Sequence, residues 1–386
     1  MQFNGIFIDK DYLENRSNEI GKKIESLESE IIDLAGEEFN LNSSQQLAVI
    51  LFDKLKLPMI KKRSTAEAVL SELKDKHPLP ELILSYRKLY KLKNTYLDPL
   101  PSYIISDTQR VHSSFNQTMT ATGRLSTSSP NFQNIPIRTE DGKEIRKAIK
   151  AQSNEYQIFS ADYSQVELRV MAHLSGDASL ISALNNGEDI HTFTAKNIFN
   201  VDNDDMVLPE MRRIAKIVNF GIMYGAGPFR LSQELDIPFG EAKQIKDAYF
   251  NKYKGIEEYI ENSKLQIKET KSVETLLGRK RAVWDSDSQN KIRRDAAERM
   301  AINMPIQGTA AEMIKLAMIK IHRQMNKENL KSKLIMQIHD ELLLEVHQDE
   351  IDYISKMVIE HMRDAMKLDV PIEIDFGVGP SWYEAH

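Results

Sequence analysis

Two short apolar segments that end in acidic residues place the strongest constraint on this chain. Residues 156–162 predict a strand that ends at Asp162, with a helix directly after it. Residues 333–338 and 342–346 predict an apolar hairpin with Asp340 in its turn. Because most of the remaining sequence has helical spacing, the pattern predicts a mixed α+β fold that is mostly helical, with a few strands that carry acids.

Two longer stretches carry the helical signal. Residues 13–36 have the spacing of an amphipathic helix, and Gly36 is its predicted stop. The sequence is again helical from about residue 164 to 320.

The acid in the turn of an apolar hairpin has two interpretations. Aspartate is a frequent turn residue, which is the commoner explanation for any single one, and it is also a ligand that strands can hold against a cation. Asp162 and Asp340 in one chain, the latter followed by Glu341, favour a shared metal site. Paired carboxylates that hold two Mg²⁺ ions can clamp the attacking and leaving oxygens of a phosphoryl transfer. Mg²⁺ prefers oxygen ligands, which suits a chain that contains no cysteine.

A predicted helix from about Pro209 to Tyr224 carries cations and aromatic rings on one stripe. Arg212, Lys216, Phe220 and Tyr224 recur every four residues. At about 100° per residue they drift by only about 40° per step. Such a stripe can meet a triphosphate at its cationic end and a base at its aromatic end. The competing interpretation, a solvated basic end and a buried aromatic end, is weakened because other residues supply an apolar face.

A second predicted helix carries polar groups at the same spacing. Arg299, Asn303 and Gln307 occupy positions i, i+4 and i+8, and Pro305 and Gly308 interrupt the regularity of the helix. Amides on one stripe need hydrogen-bond partners. The minor groove of a duplex offers acceptors on base edges that such donors fit without sequence choice.

The segment 118–138 is long, polar and rich in turn residues. A segment of this kind inside a globular chain is usually either a functional loop or a disordered one. It adds further donors of the same type, which are Arg124, Asn131, Gln133 and Asn134.

Two other candidate residues have structural explanations of their own. Ser164 and Glu167 have the spacing of a capping box, in which the glutamate reaches back to the amide at the start of the helix. A lone histidine such as His191 is more often structural than functional.

Five stretches of the sequence together match one known family. DYSQVELR (162–169) resembles motif A of the family A DNA polymerases, the bacterial DNA polymerase I type. RRIAKIVNFGIMYG (212–225) resembles motif B, and QIHDEL (337–342) resembles motif C. TATGRLSTSSPNFQNIP (120–136) and RMAINMPIQGTAAEMIK (299–315) resemble two further stretches of the family. The matches occur in order and cover nearly the whole chain, so the five together are specific.

The resemblance implies a right-hand polymerase fold, with an antiparallel sheet in the palm and helical thumb and fingers. It implies that residues 1–12 lead into the palm, that 13–110 are mainly thumb, that 111–170 and 296–386 form the palm, and that 171–295 form the fingers. It further implies a DNA-directed DNA polymerase of replication or repair, which extends a primer 3′ end with dNTPs by two-metal-ion phosphoryl transfer.

The resemblance also implies site residues, position by position. Asp162 and Asp340 are implied to hold two Mg²⁺ ions, with Mn²⁺ as an alternative ion, and Glu341 to lie beside them in an auxiliary catalytic role. Lys216 is implied to bind the triphosphate and to be the candidate acid for the leaving pyrophosphate. The other residues implied to contact the dNTP are Arg212, Phe220, Tyr224, His191, Glu167 and Gln165. The residues implied to contact primer-template DNA are Arg124, Asn131, Gln133, Asn134, Arg299, Asn303, Gln307, His339, Lys91 and Lys93.

Other functions stay open beside this one. A single-subunit RNA polymerase relative is disfavoured by Glu167, which the resemblance implies is the gate against a ribose 2′-hydroxyl. An inactive DNA-binding or replisome protein is one further alternative, and a metal nuclease is another. The motif B aromatic residue is Phe220 rather than tyrosine, which implies discrimination against dideoxynucleotides.

The overall charge argues against a nucleic-acid partner, but its distribution does not. The 51 Lys and Arg residues against 57 Asp and Glu residues give a net charge of −6. Cations nevertheless gather at 61–63, 87–93, 212–216, 279–281 and 291–294. We therefore expect a basic cleft on an acidic body, and DNA binding that weakens steeply as salt rises.

Length and hydropathy set further expectations. No apolar run approaches the length of a membrane span, and the first residues lack the features of a signal peptide. We therefore expect a cytoplasmic monomer of bacterial or phage type, with an organelle left open. The 386 residues suffice for one polymerase hand, so we expect no proofreading exonuclease on this chain. A separate exonuclease or processivity factor is left open.

Overall fold

The computed structural model describes residues 1–135 and 140–386, which form helices around an antiparallel sheet. The strands are β1 (Ile6–Phe7), β2 (Ile104–Ile105), β3 (Arg110–Val111), β4 (Ser114–Asn116), β5 (Ser126–Ser128), β6 (Tyr156–Tyr163), β7 (Ser272–Glu274), β8 (Lys280–Ala282), β9 (Lys333–Ile338), β10 (Glu341–His347) and β11 (Ile374–Gly379). The helices are α1 (Lys10–Ala35), α2 (Ser44–Ala48), α3 (Glu67–Leu73), α4 (Pro78–Leu92), α5 (Glu140–Glu144), α6 (Val166–Ser175), α7 (Ala178–Asn185), α8 (Ile190–Phe199), α9 (Pro209–Met223), α10 (Pro228–Leu235), α11 (Phe239–Lys252), α12 (Lys254–Thr270), α13 (Lys291–Lys327), α14 (Ile351–Arg363) and α15 (Trp382–Ala385). The predicted α+β class is confirmed. None of the helices in the described ranges is long and apolar enough to cross a bilayer.

The largest sheet has the strand order β11-β6-β10-β9, and its paired strands are antiparallel. Both predicted strand segments belong to it, since the first is β6 and the predicted hairpin is β9 and β10. In the register, Glu341 lies opposite Asp162 on one side, and Asp375 lies opposite Asp162 on the other. The register therefore brings acids from three strands to one end of the sheet.

The two faces of this sheet contribute to different hydrophobic cores. Successive side chains of a strand point to opposite faces. Phe159 and Leu344 lie in a core that the helices α6 to α14 complete. Ile158 and Leu343 lie in a second core with α1, α3 and α4. The acids at the end of the sheet are therefore anchored between two helical regions.

The first long helix follows the predicted pattern. The predicted helix over residues 13–36 is α1, whose first turn is capped by Asp9 through the amide of Tyr12 at 2.9 Å. Gly36 ends the helix with φ 71°, a conformation that glycine adopts without steric cost. The prediction of this helix and of its stop is confirmed.

The predicted helical run from about 164 to 320 is wrong at one place. The hairpin of β7 and β8 interrupts it, with Gly278 at φ 80° in the turn. A Cβ on Gly308 of α13 would lie 2.4 Å from Cγ2 of Thr275, so the hairpin packs directly on that helix. The tertiary contact decides the local structure here. In contrast, α13 continues through Pro305 without a break.

The polar segment contains short regular elements. Within it, β5 pairs with β4, and a 3₁₀ turn covers Phe132–Asn134. Its last residues, 136–138, lie outside the described residues. The described part is therefore a folded loop rather than a disordered one.

Candidate active site

Asp162 and Asp340 come together at one end of the central sheet. Asp162 is near the end of β6, and Asp340 is in the turn between β9 and β10. The amide of Tyr163 donates to the carbonyl oxygen of Asp340 at 3.2 Å, so the two acids belong to directly bonded segments. Glu341 pairs with Asp162 across the strands. Side chains directly opposite each other on antiparallel strands have Cβ atoms only about 5 Å apart.

Neither aspartate accepts a hydrogen bond from a cationic side chain among the described residues. Burial and, to a smaller extent, the charges of Glu341 and Asp340 raise the pKa of Asp162 to about 7. Burial also raises the pKa of Asp340 to about 6, although Arg124 acts to lower it. Oδ1 of Asp340 is buried without a hydrogen-bond partner among the described residues, and Nη2 of Arg124 is 3.7 Å away. Negative charge therefore accumulates here, and the ion pair of Asp340 with Arg124 offsets only part of it.

Glu341 has a different environment from its two neighbours. Its Oε1 accepts hydrogen bonds from Oγ of Ser160 at 2.6 Å and from Nε1 of Trp382 at 2.7 Å. Nδ1 of His386 lies 3.3 Å from the same oxygen. Burial acts to raise the pKa of Glu341, but hydrogen bonds from His386, Ser160 and Trp382 outweigh it and lower the pKa. Glu341 is thus a fixed, ionised acid.

The donor set fits a cation that arrives together with a substrate. Within residues 1–135 and 140–386, no group of three or more potential ligand side chains is preassembled as a metal cage. Mg²⁺ usually binds through one or two carboxylates together with waters and substrate phosphates rather than in such a cage. The unpartnered Oδ1 of Asp340 and the raised pKa of Asp162 match this mode of binding. The residues present therefore fit Mg²⁺.

The capping-box prediction for Glu167 is wrong. Gln165, with φ 51°, is the N-cap of α6, and no side chain caps this helix. Because Gln165 is left-handed, the helix starts one residue later than the box requires. The Glu167 carboxylate instead accepts from Nη2 of Arg124 and from the hydroxyl of Tyr224, each at 2.5 Å. It is only 6% exposed, and it joins the polar loop to the end of α9.

The predicted stripe on α9 runs from exposed cations to partly buried aromatic rings. Arg212 donates to Asp189 at 2.7 and 3.1 Å. Lys216 is exposed and forms no ion pair with any described residue. The rings of Phe220 and Tyr224 are stacked at 24°, with centroids 6.4 Å apart. The helix therefore presents one paired cation, one unpaired cation and two rings along a single line.

His191 is buried beside this stripe. Nδ2 of Asn219 lies 3.1 Å from its Nδ1, and its ring centroid is 5.7 Å from that of Phe220. Burial lowers the pKa of His191 to about 4, so the ring is neutral at neutral pH. With Nδ1 accepting from the amide of Asn219, the proton resides on Nε2. His191 is therefore a buried, hydrogen-bonded residue, as expected of a lone histidine, and its ring lies next to the aromatic end of α9.

The polar stripe on α13 lines a cavity of about 430 Å³. Arg299, Asn303 and Gln307 contribute to its wall, together with Tyr224. Oδ1 of Asn303 is buried and has no hydrogen-bond partner among the described residues. Arg281 also lines the cavity, although the sequence placed it only in a cluster of charge. The cavity thus offers polar and cationic side chains next to the aromatic end of α9.

The amides of the polar loop are used within the protein. Oδ1 of Asn131 accepts from the amide of Gln133 at 3.0 Å, and Nε2 of Gln133 donates to the carbonyl of Leu125 at 3.1 Å. The carbonyl of Asn134 accepts from the hydroxyl of Tyr96. These contacts fix the shape of the loop, and the predicted DNA contacts of its amides stay predictions.

The remaining predicted DNA-binding residues lie in two places. His339 is exposed beside Asp340, with φ 50° in the hairpin turn. Lys91 and Lys93 lie at the end of α4. Nζ of Lys93 donates to Asp98 at 3.0 Å, so this cation is already paired.

Sequence reasoning missed the residues that surround Glu341. Ser160 precedes Asp162 on β6, and Trp382 and His386 come from the last residues of the chain. Arg146 lies against the ring of Trp382, with Cζ 4.2 Å from its centroid. No local pattern in the sequence could have found this group, because the strand register and the packing of α15 assemble it.

Comparisons with known proteins agree with this arrangement. The family described as DNA polymerase family A matches residues 10–384. DNA polymerase I of Bacillus subtilis (strain 168) is 46% identical over the whole of this chain, which covers 44% of that protein. The thermostable DNA polymerase I of Thermus aquaticus is also 46% identical, and this chain covers 46% of it. The chain therefore spans less than half the length of these curated relatives.

A solved structure has nearly the same fold. The POL domain of Pol1 from M. smegmatis, in complex with DNA primer-template and dNTP, matches with a TM-score of 0.94 and 42% identity. The match covers 99% of this chain and 68% of that one. The expected right-hand polymerase fold is confirmed, and the chain belongs to DNA polymerase family A.

Proposed function

We propose that this chain is a DNA-directed DNA polymerase, which extends a primer 3′ end with dNTPs along a template strand. The observation that carries the proposal is the pair of acids Asp162 and Asp340 at one end of the sheet, where burial raises the pKa of both carboxyls. Glu167 connects this end to the cationic helix α9 through its hydrogen bond with Tyr224. The relatives, and the DNA-bound and dNTP-bound domain of similar fold, support the same substrate class.

The division into palm, thumb and fingers is part of this proposal. The palm comprises the central sheet with α13 and α14, within residues 111–170 and 296–386. The thumb comprises the helices of residues 13–110, and residues 1–12 lead into the palm. The fingers comprise residues 171–295, which include α9. The two separate hydrophobic cores on the two faces of the sheet support the separation of the thumb from the fingers.

Asp162 and Asp340 are the residues that would hold divalent cations in this site. Family A DNA polymerases are generally metal-dependent, and we propose two Mg²⁺ ions, with Mn²⁺ as an alternative. When bound, such ions neutralise the triphosphate and lower the pKa of an attacking hydroxyl. The fixed negative charge of Glu341 opposite Asp162 would add to the attraction for a cation.

The cations of α9 bind and position the triphosphate. Arg212 exchanges its surface partner Asp189 for a phosphate, which costs little because exposed ion pairs are weak. Lys216, which has no partner among the described residues, binds the same group and donates a proton to the leaving pyrophosphate. The Nε2 proton of His191 is the one available to a phosphate oxygen.

The aromatic end of α9 and Glu167 select the sugar and the base. Phe220 packs against the deoxyribose, Tyr224 lies beside the templating pair, and Gln165 lies next to them at the start of α6. Glu167 occupies a fixed position, because Arg124 and Tyr224 each hold one of its oxygens. A rigid carboxylate cannot yield to a ribose 2′-hydroxyl, which supports its role as the gate and disfavours an RNA polymerase.

The DNA duplex lies against α13 and the polar loop. Arg299, Asn303 and Gln307 line one cavity, and the unpartnered Oδ1 of Asn303 suits a donor on a base edge. The other proposed contacts come from the polar loop, the hairpin turn and the end of α4. The residues that make them are Arg124, Asn131, Gln133, Asn134, His339, Lys91 and Lys93. A cytoplasmic location and a monomeric state stay predictions.

A primer-extension assay tests the proposal. The chain is incubated with a primed template, four dNTPs and Mg²⁺, and the products are resolved on a gel. We expect extension that dNTPs support and rNTPs do not, with loss of product in Asp340→Ala. Asp349→Ala is the matched control, since Asp349 is an exposed acid just beyond the opposite end of β10. Preferential use of rNTPs, or extension that survives Asp340→Ala, contradicts the assignment, and primer degradation without dNTPs indicates a nuclease instead.

A further inference from the structure

The carboxylate of Glu341 is held by only one of its two oxygens. Ser160, Trp382 and His386 all lie within hydrogen-bond distance of Oε1, at 2.6, 2.7 and 3.3 Å. Oε2 accepts no hydrogen bond from the residues that the structure describes. Three donors on one oxygen restrict the rotation of this carboxylate and leave the other oxygen available.

This restriction opposes a repulsion that the register creates. Glu341 lies directly opposite Asp162 in the sheet, and both side chains are acids. Like charges at directly opposite positions repel each other and favour rotamers that separate them. The donors to Oε1 therefore keep Glu341 where its own charge and that of Asp162 would otherwise drive it away.

Two glycines allow α15 to approach the sheet closely enough to supply the donors. A Cβ on Gly377 would lie 2.5 Å from the carbonyl oxygen of Ala385, and one on Gly379 would lie 2.7 Å from Cβ of Glu384. Any side chain at these positions of β11 would push α15 outward. The amide of Trp382 also donates to the carbonyl of Ile149 at 2.9 Å, which anchors the start of the helix.

A buried cation supports the indole ring from its face. Cζ of Arg146 is 4.2 Å from the centroid of Trp382, and Arg146 is only 5% exposed. The charges of Glu341 and Asp162 help to keep Arg146 charged despite its burial, which acts to lower its pKa. The ring is thus fixed by a cation on its face while its N–H reaches Glu341.

We propose that Trp382 and His386 are positioning residues for the proposed polymerase reaction. They hold Glu341 by Oε1 opposite Asp162 and leave Oε2 to a divalent cation or to a water bound to it. This inference rests on the proposed function for its reaction, but the cation affinity that it concerns can be measured without any turnover.

The first test separates the effect of the indole N–H of Trp382 from the effect of its aromatic ring. Trp382→Phe removes the N–H but keeps an aromatic ring against Arg146, and Tyr383→Phe on the same helix is the matched control. Mn²⁺ binding to the full chain with primed DNA is measured by electron paramagnetic resonance, without dNTP. Loss of an outer hydrogen bond to a metal-site carboxylate typically weakens metal binding by about tenfold. We expect Trp382→Phe to weaken Mn²⁺ binding by this factor and to lower kcat by a similar factor, with KM for dNTP little changed. We expect Tyr383→Phe to leave the Mn²⁺ affinity, kcat and KM unchanged.

His386 provides a second variant that does not threaten the fold. Its side chain is 42% exposed, so His386→Ala leaves no cavity in a core. We expect His386→Ala to weaken Mn²⁺ binding less than Trp382→Phe does, and His386→Gln, which keeps an N–H donor, to recover most of the loss. Mn²⁺ affinity that stays unchanged in both Trp382→Phe and His386→Ala overturns the proposal.

A double-mutant cycle with Glu341→Gln gives the decisive comparison. If Trp382 acts through Glu341, Trp382→Phe has no further effect on Mn²⁺ affinity once Glu341 is replaced. An equal loss in both backgrounds means that Trp382 acts by general packing and overturns the proposal. A wild-type chain that binds Mn²⁺ but never extends primers rejects the proposed function, whereas primer extension without any change in the Mn²⁺ cycle rejects this inference alone.

Discussion

The acids at the end of the sheet and the cations of α9 have opposite charges, and they differ in how far they are buried. Asp162 and Asp340 are held by rigid strands, and burial raises their pKa values to about 7 and about 6. Arg212 is on the surface and donates hydrogen bonds to Asp189. These hydrogen bonds and those from Thr192 outweigh the burial of Asp189 and lower its pKa to about 2. The sheet acids have a long ion pair, between Asp340 and Arg124 at 3.7 Å, whereas Arg212 has a close and exposed partner in Asp189 at 2.7 Å.

The difference assigns the two regions different tasks. Buried acids that neighbour one another in a fixed frame are costly, and they attract a cation without rearrangement. An exposed ion pair is weak, so Arg212 can leave Asp189 when a triphosphate arrives. The sheet therefore supplies a preformed half of the site, and α9 supplies an adaptable half.

The largest expected effect follows removal of charge from the preformed half. Asp162→Asn keeps the shape of the side chain but removes its charge, so we expect kcat for primer extension to fall by about 10³-fold. DNA binding, measured by fluorescence anisotropy on the same preparation, should change little. Single-turnover extension within tenfold of the wild type would show that the sheet acids do not form the reaction centre.

The next effect concerns the unpaired cation of α9. Lys216→Met removes the group that we propose binds the triphosphate and protonates the leaving pyrophosphate, so kcat should fall by about 10²-fold. Lys243→Met, which removes an exposed lysine from α11, is the matched control. Rapid-quench kinetics of single-nucleotide addition measure both variants, and equal rates for the two would remove the special role of Lys216.

We propose that Glu167, held by Arg124 and Tyr224, sets the choice of sugar. Glu167→Ala removes the carboxylate that Arg124 and Tyr224 hold, so relative use of rNTPs over dNTPs should rise by about 10²-fold. Tyr224→Phe removes only one of the two hydrogen bonds and should give a smaller rise. The ratio of kcat/KM for the two nucleotide types reports the result, and an unchanged ratio in Glu167→Ala would refute the gate.

The smallest effect is on stability and depends on pH. The folded-state pKa of Asp162, about 7, lies above its ordinary value of 3.8, so the folded chain binds more protons than the unfolded chain between these values. The contribution of this carboxyl to stability therefore falls as pH rises from 3.8 to about 7. In EDTA, the Tm of Asp162→Asn relative to the wild type should be higher at pH 8 than at pH 5, by about 2 °C. A Tm difference that is the same at both pH values would show that Asp162 is not buried among like charges.

Local patterns were sufficient for the elements that carry the predicted site. The strand β6, the hairpin of β9 and β10, and the stripe on α9 all follow from periodicity, and Gly36 ends α1 as expected. These elements are predictable because the spacing of apolar residues and the turn residues act within a few positions. The acids at the strand ends could likewise be named from the sequence.

Other features depend on contacts between distant segments. The left-handed Gln165 and the bonds from Arg124 and Tyr224 give Glu167 a tertiary role in place of the capping box. The hairpin of β7 and β8 packs on Gly308, and no periodicity in its own sequence indicates that contact. The donors to Glu341 are brought together only by strand register and by α15.

Binding of the next correct dNTP to a complex with a 3′-deoxy-terminated primer tests the central claim most directly. Such a primer cannot react, so the equilibrium affinity reports only how the acids of the sheet and the cations of α9 cooperate. We predict that Mg²⁺ tightens dNTP binding to the wild type by about tenfold or more over EDTA, because the acids bind the cation that the triphosphate shares. In Asp340→Asn this gain should disappear. Equal dNTP affinity with and without Mg²⁺ in the wild type, or an undiminished gain in Asp340→Asn, would contradict the account.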